Sequence, residues 1–229
     1  MKMQISRQTV EILKNFSTIN PSILVKPGSE IQTISTMKNI LAKSAVTEDF
    51  INEFAIYDLP EFLNLVTSET FLGGEYTFNE KYVSLEKDRA QSTYYYADPS
   101  TIVSPPEKPI SMPNIDIDFD LEEPDLATIR NMSSILANPD VVVKSEAGKD
   151  IVVSVLDKKD PTSKVFNLRV GDGNGDTFTM YFKIENLKLL KGNYKVSISS
   201  QAISKFCHED IDLTYWIALE PDSIYNGEE

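Results

Sequence analysis

The chain has one cysteine and one histidine in 229 residues, and they are neighbours, Cys207 and His208. A lone cysteine makes no internal disulfide, which suits a reducing compartment. Zinc sites need three or four ligands, and this pair has no second cysteine or histidine to join. As nucleophile and base the two are badly placed, because adjacent side chains on a strand point to opposite faces. Positive charge is also scarce: 22 Lys and Arg stand against 35 Asp and Glu, a formal charge of −13. Such a chain repels nucleic acid and anionic membranes at long range, so a nucleic-acid role must rest on local charge. Long apolar runs are missing as well. The opening MKMQISRQTVEILKNF holds no signal-peptide core, and nothing later approaches the roughly 18 apolar residues of a membrane span. These absences predict a soluble, intracellular protein with no membrane partner. Gly73-Gly74 lacks the lysine and spacing of a phosphate loop.

What is present is apolar content, 41% of residues, enough for one large core or two ordinary ones. The chain also repeats itself. LKNFSTINPSILVK (13–26) matches IRNMSSILANPDVVVK (129–144) once two extra residues, Leu136 and Ala137, are allowed in the second copy. Leu13 pairs with Ile129, Lys14 with Arg130, Asn15 with Asn131, Phe16 with Met132 and Ser17 with Ser133. In each copy apolar residues recur at helical spacing, an Asn-Pro pair then stops the helix, and a short β-branched run follows as a strand. FAIYDLPEFL (54–63) echoes FKIENLKLL (182–190), again a strand running into a helix. Asp58 with Glu61 reads as a capping box, with Pro60 in the first turn; Asn186 can cap the second copy and Gly192 end it. ADPSTIV (97–103) and ALEPDSIY (218–225) close the two halves alike.

Between the halves, SPPEKPISMPN (104–114) holds four prolines, a composition for an extended connector. The expected organisation is a first domain over 1–104, a connector over 105–114 and a second domain over 115–229. Each domain reads as two helices on antiparallel strands, an α+β class with helices packed on one sheet face.

Two acidic stretches invite catalytic readings. In GDGNGDTF (171–178), Asp172, Asn174 and Asp176 sit at EF-hand ligand spacing, but Thr177 replaces the required glycine and Lys183 the closing glutamate, so a hairpin turn is expected. In NIDIDFDLEEPD (114–125), strict alternation predicts a half-buried strand with Asp116, Asp118 and Asp120 in solvent rather than a metal-dependent nuclease. Glu122, Glu123 and Asp125 then suit the positive end of the following helix.

The chain resembles the DNA sliding clamps, and most closely those of T-even-type bacteriophages. The resemblance is carried by LKNFSTIN (13–20), AIYDLPEFL (55–63), ADPSTIV (97–103) with KPI (108–110), GNYKV (192–196) and IALEPDS (217–223). Residues 27–50 and 140–165 look divergent, and nothing is carried over there. The resemblance implies two tandem pseudo-repeated clamp domains. Three chains would close a ring around duplex DNA, with helices lining the hole and sheets outside. It implies no catalysis, cofactor or metal. An ATP-driven clamp loader would open the ring, the replicative DNA polymerase would dock on it, and a late-transcription sigma factor with its co-activator would be further partners, all in the cytoplasm of the infected bacterial host. Such a ring holds DNA by topology, so an acidic outer wall is compatible with it. The cations expected to face the hole are Arg7 and Lys14, on a face with Glu11; Arg130, the counterpart of Lys14; and Lys188 and Lys191 on a short helix after Asn186. Clamps bind short hydrophobic peptides in a pocket between domains, which here points to Ile110, Met112, Leu219 and Pro221. The subunit joint is expected between STYYYA (92–97) and KVFNLRV (164–170), through Tyr94, Tyr96, Phe166 and Leu168. The rival reading is an acidic β-rich adaptor or virion structural protein that reuses the duplicated fold without encircling DNA.

Overall fold

Ser6 starts the first helix: its hydroxyl accepts from the backbone N–H of Thr9, satisfying one of the orphan donors of the opening turn. In this computed structural model, which describes residues 2–108, 110–147, 149–173 and 175–225, the chain divides into two units between residues 108 and 109. The first unit runs β1 (Lys2–Met3), α1 (Arg7–Ile19), β2 (Ile23–Val25), β3 (Gly28–Ile34), β4 (Ile40–Phe50), β5 (Phe54–Ile56), α2 (Leu59–Thr67), β6 (Glu75–Phe78), β7 (Tyr82–Lys87) and β8 (Ala90–Tyr95). Val10, Ile12, Leu13, Phe16 and Ile19 form the buried stripe of α1. The Asp58 carboxylate caps α2 by accepting from Glu61 N at 2.8 Å, with Pro60 in the first turn, as the sequence predicts. Strands β1-β6-β7-β8 form one antiparallel sheet, β3 pairs with β4, and β2 with β5. β8 ends its sheet, so among the described residues one of its edges is unpaired.

The second unit runs β9 (Ile117–Leu121), α3 (Glu123–Leu136), β10 (Asp140–Ser145), β11 (Ile151–Leu156), β12 (Phe166–Gly171), β13 (Phe178–Lys183), β14 (Tyr194–Ser199), β15 (Ile203–His208), β16 (Leu213–Ala218) and β17 (Ile224–Tyr225). One antiparallel sheet has the order β12-β11-β10-β13-β17, with β12 at an edge, and β9, β14, β15 and β16 lie side by side in another. The acidic alternation behaves as predicted within β9: Ile117, Phe119 and Leu121 are buried, Asp118 and Asp120 exposed. Ile115 lies before the strand and stays exposed. The Asn-Pro repeat also has one structural meaning. Asn20 and Asn138 are both buried, and each amide donates to backbone carbonyls of later segments, Asn20 to Ile34 O and Asn138 to Lys164 O.

One expectation is overturned. Among its described residues the second unit has no second α-helix; after β13 come a 3-10 turn, Ile184–Asn186, and then an irregular segment over 187–191. Leu187 and Leu189 are both buried, a period of two that a helix would not deliver. Gly192, with φ +146°, turns the chain where an added Cβ would meet the His208 ring. The described residues thus contain three α-helices where the repeat predicts four, none long and apolar enough to cross a membrane.

Candidate nucleic-acid interface

Burial of one stripe of α1 leaves Arg7, Gln8, Glu11, Lys14 and Thr18 exposed. Lys14 Nζ lies 3.2 Å from Glu11 Oε1, an exposed i,i+3 pair. The face therefore carries two cations and one carboxylate, the net single positive charge expected from the sequence. The opening turn is fixed from beneath. Glu48 on β4 is buried, and its two oxygens accept from Ser6 N and from the Thr9 hydroxyl, each at 2.5 Å. No motif in the sequence points to Glu48, because it sits in a stretch without repeat or family landmark. α2 has no cation at all.

Arg130 corrects the expectation most directly. It is half-buried, and its guanidinium donates to Leu187 O at 2.7 Å and Leu189 O at 2.8 Å. Desolvation there pulls its pKa below the ordinary arginine value. The counterpart of Lys14 is thus tied into its own unit, and the exposed positions of α3, including Ala127, Thr128, Asn131 and Ser134, carry no cation, Glu123 in the first turn being an exposed carboxylate. Lys188 and Lys191 are half-exposed and exposed, on the irregular segment rather than a helix.

The connector residues divide similarly. Ile110 and Met112 are half-exposed and Pro221 is exposed, but Leu219 is buried, and its N–H donates to Ala202 O. Leu219 is therefore removed from the peptide-binding candidates. Sequence reasoning also missed a cavity of about 330 Å³ in the first unit, where Ser104, Pro105 and Glu107 pass beside Leu24, Pro27 and Gln32.

Both strands singled out for a joint, β8 and β12, are sheet edges. Tyr94 and Tyr96 share one face, as alternation predicts, and that face is turned into their own unit. Tyr94 meets Phe62 edge-on and donates to Asp58 O, while Tyr96 stacks on Phe54 with its hydroxyl buried and without a hydrogen-bond partner. Tyr95, 71% exposed, is the outward ring, and the alternation itself could have identified it. On β12, Phe166 and Leu168 are half-buried, with Asn167 and Arg169 outward. The glycine-rich turn is tied by protein contacts: Arg169 pairs with Asp172, and the Tyr225 hydroxyl donates to Asp176. Asn174 lies outside the described residues. No cluster of three His, Cys, Asp or Glu among the described residues could hold a metal.

Two helix-bearing antiparallel units, each with an open edge strand among the described residues, make up the chain, and comparison with known proteins gives it a family. Residues 6–104 match the model for the DNA polymerase processivity factor, and residues 118–221 the model for the C-terminal part of the gp45 sliding clamp. The sliding clamp of Vibrio phage KVP40 is 34% identical over 223 residues, 95% of this chain and 99% of the relative. The chain belongs to the bacteriophage sliding clamps. The clamp of Enterobacteria phage T4 is 30% identical over 236 residues, covering 98% of this chain and all of its own. Among solved structures, PCNA of A. fulgidus bound to the C-terminal region of FEN-1 has a TM-score of 0.71 at 12% identity, over 97% of this chain and 99% of that one. A DnaN sliding clamp of Pseudomonas aeruginosa bound to griselimycin has 0.67 at 12% identity, over 96% and 65%. At that identity the likeness shows the clamp fold alone. This sliding clamp is thus a DNA polymerase processivity factor, and its role is not enzymatic.

Proposed function

We propose that three copies of the chain close into a ring that encircles duplex DNA and tethers the replicative polymerase of an infecting phage. The observation that carries the reading is the pair of open sheet edges, β8 in one unit and β12 in the other. An unpaired edge is a template for another strand, and joining β8 of one copy to β12 of the next satisfies both. Tyr94, Tyr96, Phe166 and Leu168 then lie along the inward face of the joint, and Tyr95 on its outer face. The acidic charge fits a protein that holds DNA by enclosure, with Arg7 and Lys14 turned to the duplex. Partner peptides would dock along the connector, at Ile110, Met112 and Pro221. We assign an ATP-dependent loader as the partner that opens the ring, in the cytoplasm of the bacterial host, and late transcription as a second use through a sigma factor and co-activator.

Native mass across a dilution series tests the assembly. Three chains of 25.8 kDa give about 77 kDa, falling toward the single-chain mass on dilution. Retention on nicked circular DNA, with loss after linearisation, is the expected companion result. A monomer at every concentration, or equal retention on both DNAs, refutes the ring and favours the adaptor reading.

A further inference from the structure

The segment 187–191 stands where the repeat calls for a helix, yet side chains from four surrounding elements fasten it. Arg130 on α3 takes the carbonyls of Leu187 and Leu189. The Tyr215 hydroxyl on β16 accepts from Leu190 N at 3.1 Å, and the Tyr194 hydroxyl on β14 donates to Leu190 O at 2.7 Å. His208 on β15 completes the set. Asp210 N donates to its Nδ1 at 3.1 Å, so the ring proton sits on Nε2, which donates to Lys191 O at 3.1 Å. Backbone groups that a helix would pair internally are thus held from outside, and an irregular strap of five residues is pinned at four of them.

A strap this constrained must gain something for the helix it replaces. Leu187 and Leu189 are buried, Lys188 is half-exposed and Lys191 exposed, while the exposed positions of α3 carry no cation. We infer that the strap, and not α3, is the element of the second unit that meets the phosphate backbone of duplex DNA, through Lys188 and Lys191, and that Arg130 is a positioning residue for it. This rests on the ring reading above. It assigns the two duplicated positions opposite jobs: Lys14 faces the ligand, and Arg130 holds the segment that does. A prepositioned cation pair loses little side-chain and backbone freedom on binding, so each phosphate met counts in full.

The test is the salt dependence of ring assembly from dilute full chain around a short fluorescent duplex whose two ends are blocked, so that a closed ring cannot slide off. Lys188→Gln with Lys191→Gln should lower the slope of log K against log salt by about 0.9 for each phosphate that is no longer neutralised. Arg130→Gln should weaken binding in the native background and add nothing in the Lys188→Gln/Lys191→Gln background, because a positioning residue has no effect once what it positions is gone. An additive loss in that background would make Arg130 a direct phosphate ligand and overturn its assignment. Tyr215→Phe covers the case in which Arg130→Gln fails to fold. It changes no charge on a buried ring, and it should weaken binding while speeding hydrogen exchange at residues 188–191. Unchanged binding with faster exchange would overturn the positioning role. Arg7→Gln with Lys14→Gln separates the two levels. If this pair lowers the slope and the strap pair does not, the strap proposal fails and the ring reading stands; if neither does, the helix layer is not the DNA-facing surface and both fail.

Discussion

Replacing Glu48 with alanine removes one carboxylate and strands two donors. In the native chain Glu48 is 6% exposed, and its oxygens accept from Ser6 N and the Thr9 hydroxyl, the cap and the third residue of α1. Hydrogen bonds to a charged partner contribute about 1.5–3 kcal/mol each, and a buried donor left unmatched costs its desolvation as well. Ser6 Oγ still caps Thr9 N, so the helix keeps its own cap and the loss is confined to the strand-to-helix tie. The expected cost of Glu48→Ala is about 3 kcal/mol. With a urea slope of about 1–3 kcal/mol per molar, the midpoint of the first unit's transition should fall by about 1–3 M at unchanged slope. Glu48→Gln keeps an acceptor for Ser6 N, and its amide can donate to the Thr9 hydroxyl, so it should recover more than half of the loss. Far-UV circular dichroism follows the transition, and amide exchange at residues 7–10 locates it. A Glu48→Ala midpoint within about 0.3 M of native would refute the claim that this carboxylate anchors α1.

Other expectations follow from particular contacts. Burial lifts the hydroxyls of Tyr194 and Tyr215 above the ordinary value of 10.0. The unfolded state therefore releases those protons first, so stability is intact below pH 10 and declines above it, by about 1.4 kcal/mol per pH unit for each. Tyrosinate absorbance from these two rings should rise only with unfolding, and a rise that precedes loss of circular dichroism would contradict the burial argument. Asp140 is fully buried, accepts from Lys158 N and pairs with Lys183, so Asp140→Ala should cost about 3–5 kcal/mol in chemical denaturation. Tyr95→Asp, on the outward face of β8, should reduce native mass on dilution while leaving the melting temperature of the separated chain within about 2 °C. An undiminished trimer would take Tyr95 out of the joint.

Much of the architecture was legible because repetition and period are properties of the chain itself. The stripe on α1, the Asp58 cap, the alternation of β9 and the two Asn-Pro stops need only local rules. The strap was not legible, for a physical reason. Leu187 to Lys191 has a helix-compatible composition and follows a cap residue at Asn186, and only the distant side-chain partners on α3, β14, β15 and β16 make the irregular form better. Arg130 was misread by the same logic, since pairing it with Lys14 preserved the residue type but not its surroundings. Leu219 matches a family landmark, and its burial, which no local pattern reveals, takes it off the surface. Tyr94 and Tyr96 were assigned correctly to one face; which face looks inward depends on Phe62 and Phe54, more than thirty residues upstream.

The two unmatched edge strands also govern how such an assembly could come apart. On the proposed ring, each joint consumes one β8 and one β12, so a linear string of any length still owns one of each. Breaking one joint leaves the two free strands tethered through the other subunits, at an effective concentration far above that of separate chains in solution. Reclosure is then favoured over escape. A loader would need to supply the free energy of one joint only, and letting go would suffice to finish the job.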